Sequence, residues 1–107
     1  MTIRFALIAC LAALPLVAGN IDVSRQTTVF LNTGDVLLMF SDGVTEACQP
    51  GKDEEFGEDR LAALASELRK GPAEAAMRSI IDTLTKWIGD APAADDITLI
   101  VVKKTAG

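Results

Sequence analysis

The spacing of apolar residues changes along this chain, and each change marks an element. Thr27 to Leu31 is a short β-rich run, and Asn32-Thr33-Gly34-Asp35 is a turn cluster of the kind that joins hairpin strands. Val36-Leu37-Leu38-Met39-Phe40 is therefore predicted to return antiparallel to Thr27–Leu31. Ala47 to Glu55, with Pro50-Gly51 and a charged tail, reads as an exposed loop. From Glu58 onward the period becomes helical: Leu61, Leu64, Ala65 and Leu68 fall at i, i+3, i+4 and i+7, with Arg60, Glu67 and Lys70 mainly off that stripe. Gly71-Pro72 ends this helix and begins another, since glycine suits the position after a helix and proline the first position within one. Met77, Ile80, Ile81, Leu84 and Ile88, with Trp87 beside them, repeat the stripe until Gly89-Asp90-Ala91-Pro92 stops it. Ile97 to Val102 is continuously apolar, the pattern of a central strand buried on both faces. The predicted order is strand, strand, helix, helix, strand, an α+β arrangement with a two-helix antiparallel pair.

Two of these strands carry acids at their ends. The run Val36–Phe40 passes through Ser41 into Asp42-Gly43, and Asp95-Asp96-Ile97-Thr98 stands directly before Leu99-Ile100-Val101-Val102. Antiparallel pairing of these strands makes neighbours of Asp42 and Asp95, because the end of one strand then lies beside the start of the other. Two carboxylates near a low-dielectric interior repel unless one is protonated or a cation sits between them. A hard divalent ion, Mg²⁺ or Mn²⁺, suits such an all-oxygen site. Taken alone, Asp42 before a glycine is an ordinary turn aspartate, and Asp95 and Asp96 are solvated acids opening a strand. The matched pair of acid-marked ends favours metal ligation.

The segment Gly34 to Ala47 containing Phe40-Ser41-Asp42-Gly43-Val44-Thr45-Glu46, then Phe56-Gly57-Glu58-Asp59-Arg60-Leu61, then Asp95-Asp96-Ile97-Thr98-Leu99, resembles the C-terminal part of a SpoIIE-type bacterial serine phosphatase. That group belongs to the metal-dependent protein phosphatases of type 2C. The similarity runs in order from about Leu14 to Lys104. It implies a partial type 2C phosphatase-like fold, with Asp42 and Asp95 as metal ligands and Asp96 as the more variable member of its pair. Gly43 would permit a tight turn where a Cβ would crowd the metal, and Glu46 would have a structural or switch role. Thr98 fixes local backbone rather than acting as a nucleophile. The cofactors implied are Mn²⁺ or Mg²⁺ as a binuclear centre. The implied substrate is a phosphoserine or phosphothreonine protein, of the anti-sigma-factor antagonist type.

The resemblance also shows what is missing. An earlier half of the family's domain supplies an Asp-containing strand and an Asp-Val-x-Gly-His-Gly element for the other side of the metal site, and this chain has no histidine. It reads as a truncated domain, weak or inactive alone and inclined to dimerise or to lean on a complementing domain. Two other readings stand beside it: a noncatalytic interaction module derived from the phosphatase fold, and a small secreted domain.

Composition narrows the classes further. A length of 107 residues fits one domain at the small end of the stable range. A net charge of −5, with Lys103-Lys104 as the main basic pair, argues against nucleic acid as partner. Lack of histidine removes Ser-His-Asp and Cys-His catalysis and histidine zinc motifs. Cys10 and Cys48 are far apart without Cys-x-x-Cys spacing, and read as reduced thiols of a cytosolic protein.

Residues 1–13 form an apolar N-terminal segment and 14–107 the phosphatase-like part. Met1-Thr2-Ile3-Arg4, the apolar stretch Phe5 to Val17 and Ala18-Gly19-Asn20 have the charge, length and exit of a secretory signal peptide. Leu14-Pro15-Leu16, in contrast, resembles the turn before the corresponding strand of the phosphatases, which places the segment in the folded domain as a truncated start. The second reading, and with it a cytoplasmic location, is favoured; a signal peptide over residues 1–19 would make the protein secreted or membrane-associated.

Overall fold

The computed structural model describes residues 3–9, 15–22, 26, 28–89 and 96–106. Its elements are strands Ile3–Ile8 (β1), Pro15–Ile21 (β2) and Val36–Ser41 (β3), a single helical turn Asp42–Thr45 (α1), helices Gly57–Leu68 (α2) and Ala73–Ile88 (α3), and strand Leu99–Lys103 (β4). The strands form one antiparallel sheet in the order β2-β1-β3-β4, so the fold is α+β.

Alternation along the strands decides what each face does. Val36, Leu38 and Phe40 of β3, with Ala6 and Ile8 of β1, turn toward the helices and bury against Leu61, Ala65, Ile80 and Leu84. These helical residues are the stripes of α2 and α3, and Leu64, Leu68, Trp87 and Ile88 pack around their margin. Leu38 and Phe40 are 0% and 2% exposed, and burial of side chains this size stabilises the fold by about 1.5–3 kcal/mol each. The α2–α3 corner is tied to the sheet from below: Lys103 Nζ donates to the carbonyls of Arg69 and Gly71, both at 2.8 Å. A cation there satisfies carbonyls left over at a helix C-terminus.

Three features differ from the sequence reading. The turn at Asn32–Asp35 forms, with the Asp35 amide donating to the Asn32 carbonyl at 2.9 Å and Gly34 at φ 91°. However, Thr28–Leu31 has no regular structure and is not the partner of β3. That edge is taken by β1, whose six residues pair with β3 from Ile3↔Ser41 to Ile8↔Val36, a longer apolar ladder than the predicted run could offer. Ile3–Ile8 is thus an interior strand, and Pro15 opens β2 at the sheet edge, where a missing N–H is tolerated. Finally, β4 is an edge strand rather than a central one. Leu99 and Val101 face the helices half-buried, whereas Ile100 and Val102 on the opposite face are 44% and 38% exposed. An unbroken apolar run signals two apolar faces but does not say that both are covered.

Candidate functional site

At one end of the sheet, β3 runs out into Asp42 beside the start of β4. Phe40 is opposite Leu99, and the ladder goes one step further, with the Ser41 amide donating to the Thr98 carbonyl at 3.0 Å. The Ser41 side chain completes the closure. Its hydroxyl donates to the Asp96 carbonyl at 3.0 Å and accepts from the Thr98 amide at 2.9 Å. Ser41 is fully buried, so these bonds satisfy a hydroxyl that would otherwise be costly to desolvate. The consequence is positional: Asp96-Ile97-Thr98 is fastened alongside Ser41, next to Asp42.

Asp42 begins α1 and is half-buried. Its carbonyl accepts from the Glu46 amide at 2.8 Å and from the Thr45 hydroxyl at 3.5 Å, whereas no described residue donates to its carboxylate. Gly43 lies inside the turn, buried, with φ outside the left-handed region. Conformational freedom is therefore not what Gly43 provides. Glu46 is the exposed C-cap of α1, and Asp96 is exposed where its carbonyl meets Ser41. Asp95, like Cys10 and Asp90-Ala91-Pro92, lies outside the described residues.

Behind Asp42 the chain is anchored through one carbonyl. Ala47 O accepts from the Phe56 amide at 2.7 Å and from Trp87 Nε1 at 2.8 Å, while Cys48 and Glu55 form an isolated bridge that closes the intervening loop. Arg60 then clamps the loop. It donates to Glu54 Oε1 at 2.7 Å, to the Glu55 carbonyl at 2.8 Å and to the Phe56 carbonyl at 3.1 Å. Its guanidinium lies 4.4 Å from the centre of the Trp87 ring, which meets Phe56 edge-on at 5.7 Å. The hydrogen bond and charge of Arg60 hold the Glu54 carboxyl below its ordinary range. On the sheet side, Arg4 of β1 pairs with Glu58 of α2 at 2.6 Å.

Sequence reasoning pointed to acids at the two strand ends and missed the side chains that fasten those ends together. Ser41 passed as the last letter of a strand, although a small hydroxyl ending an apolar run can bridge to a neighbouring strand start. Trp87 stands beside the α3 stripe in the sequence and packs at the core margin; a partly buried indole N–H also needs an acceptor, a requirement readable from the sequence.

As a metal centre, the described residues form an incomplete set. A half-buried carboxylate at a strand end, without a donor among the described residues, suits one ligand of a hard cation. Among the described residues, though, no group of three or more His, Cys, Asp or Glu could hold a metal ion. They do not by themselves fit a metal site. Also among the described residues, no helix is long and apolar enough to cross a membrane.

The fold and the sequence point to one class. The SiaA-PP2C domain of Pseudomonas aeruginosa superposes with a TM-score of 0.72 over 94% of this chain, at 18% identity. This is an α+β fold of the PP2C type, and the chain spans 43% of that domain's chain. The family described as stage II sporulation protein E (SpoIIE) matches residues 10–105, and the chain belongs to that family. A comparison with curated proteins gave no match. Family and fold agree: the chain is a member of the SpoIIE family with a fold of the PP2C type.

Proposed function

We propose that this chain is the C-terminal portion of a protein serine/threonine phosphatase domain, acting on phosphoserine or phosphothreonine in a bacterial regulatory protein of the anti-sigma-factor antagonist type. Asp42 and Asp95 are its metal ligands, for Mn²⁺ or Mg²⁺, with the remaining ligands coming from residues outside this chain. Such ions, when bound, supply Lewis acidity toward a phosphoryl oxygen and an activated water. The observation that carries this reading is the Ser41 junction. By fastening Asp96 and Thr98 beside the end of β3, it holds the chain on either side of the sheet end where Asp42 emerges, one residue from Asp95.

The test is Mn²⁺ titration of the chain and of its Asp42→Asn and Asp95→Asn variants by calorimetry or spin resonance. The expected result is weak, millimolar-range binding in the parent that either substitution removes, because affinity follows ligand count and charge. Binding unchanged in both variants overturns the ligand assignment.

A second reading is a noncatalytic interaction module derived from the phosphatase fold, which docks through its sheet and helix pair. Partner capture that persists in chelator, with no phosphate release, would select this reading.

A further inference from the structure

Trp87 belongs to α3, yet its indole holds the exit of the turn that carries Asp42. We infer that Trp87 is a positioning residue for Asp42, with Arg60 locking Trp87 and the intervening loop into one latch. The consequence for the site rests on Asp42 being the ligand proposed above, whereas the coupling is a property of the chain and is measured without metal.

A single helical turn fixes many dihedrals for few hydrogen bonds, so α1 persists only because its neighbours hold it. Ser41 ties its start to the head of β4, and the fully buried Val44 sinks its middle into the core. Its far end depends on Ala47, which follows the Glu46 cap. The Ala47 carbonyl accepts from the Phe56 amide and from Trp87 Nε1, the latter 40 residues further along the chain. Ala47 is buried, so a carbonyl that loses the indole is left poorly satisfied where water does not readily replace it. A ring at this place would fill the core margin by packing alone; the indole N–H adds a direction, because a hydrogen bond fixes where its acceptor lies.

Trp87 is itself held from the loop side. Phe56 meets its ring edge-on, and the Arg60 guanidinium lies over its face while donating to the Glu54 carboxylate and to the carbonyls of Glu55 and Phe56. Pro50 closes the loop against the end of α3, where a Cβ on Gly89 would come 3.5 Å from the proline Cγ. The loop from Cys48 to Glu55 therefore has its fastenings on Trp87 and its neighbours, and the same indole fastens the exit of α1. Segments sharing their fastenings open as one unit. Loss of the latch should free the Asp42 turn together with the loop while β3 stays paired.

The experiment is hydrogen exchange of the full 107-residue chain by NMR, without metal. Its probes are the Trp87 indole N–H, the Phe56 amide and the Glu46 amide, whose acceptor is the Asp42 carbonyl. In the parent these should report one opening, with protection equal to within about threefold and at least about tenfold below that of the β3 amides. Among the described residues Arg60 bonds to the loop and covers Trp87 but does not bond to α1. Arg60→Gln should nevertheless speed all of these probes together, by about tenfold. Trp87→Phe keeps a ring and removes the N–H, and should speed the Glu46 and Phe56 amides by a similar factor. A Glu46 amide that stays unmoved in Arg60→Gln while the indole N–H accelerates overturns the proposal. So does a Glu46 protection equal to that of the β3 amides, which would mean that α1 opens only when the whole sheet does. Should either variant fail to fold, the parent's protection factors decide alone. Mn²⁺ titration of Asp42→Asn tests the ligand role separately, so the coupling and the site assignment can fail independently.

Discussion

Ser41 and Thr98, far apart in sequence, exchange two hydrogen bonds, one through the Ser41 amide and one through its hydroxyl. The hydroxyl takes the role that the Ser41 carbonyl would have in a regular ladder, and by also reaching Asp96 it governs where β4 begins. Ser41→Ala should therefore lower stability by about 1–3 kcal/mol, the cost of leaving a buried amide and carbonyl less well satisfied. Urea unfolding measures the loss, and hydrogen exchange at the Thr98 amide should accelerate more than at β1 amides. Uniform acceleration across the sheet would mean that Ser41 acts on the whole core.

Asp42 should behave in the opposite way. Its carboxylate has no donor among the described residues and is only half-buried, so Asp42→Asn is expected to shift stability by no more than about 0.5 kcal/mol. In a full-length version of the domain the same change should abolish phosphate release. Retained hydrolysis would assign the chemistry elsewhere.

Trp87 is the only tryptophan of the chain, and its emission reports the clamp around Ala47. Trp87→Phe removes the indole hydrogen bond and weakens the contact with Arg60, which should cost about 1–2 kcal/mol. Arg60 holds Glu54 below its ordinary value of 4.5. A lowered carboxyl contributes at pH above its unfolded value and loses that contribution as pH falls through the folded one. On acidification the emission change that follows loss of this pair should therefore come at lower pH than an unpaired glutamate would give, and Glu54→Gln should remove that step.

The isolated chain should release no phosphate from p-nitrophenyl phosphate or a phosphoserine peptide above the buffer rate, even with Mn²⁺ at about 1 mM, because two acids with water in the remaining positions hold a hard cation weakly. Metal-stimulated turnover lost in Asp42→Ala would show that a complete site assembles from the residues present.

Much of this fold was legible because α2 and α3 are amphipathic: Leu61, Ala65, Ile80 and Leu84 sit on predicted stripes and are buried. The strand into Asp42 was legible for a similar reason, as Val36, Leu38 and Phe40 alternate onto the helix face. Strand β1 was not, because the four apolar residues behind Arg4 look alike whether they enter a leader or a sheet, and only their ladder with β3 distinguishes the two. Position in the sheet was equally hidden. Ile97 to Val102 is as apolar as a central strand, yet being central depends on the neighbours available. Ser41 shows the last limit: a hydroxyl's partner across the sheet is set by register, which single-strand patterns do not contain.

β3 lies between strands drawn from the two extremes of the chain, Ile3–Ile8 on one side and Leu99–Lys103 on the other. During synthesis, β1, β2 and both helices are made before β4, so one margin of β3 waits bare while the polypeptide is still tethered. The α2–α3 corner waits as well, since the amine that caps its carbonyls belongs to Lys103. Closure of such sequence-distant contacts is slow, and an unpaired apolar margin is hazardous in the meantime. The four-stranded sheet is thus complete only once Leu99–Lys103 has been made, and a ribosome stalled shortly before Leu99 would leave this margin of β3 open to chaperones.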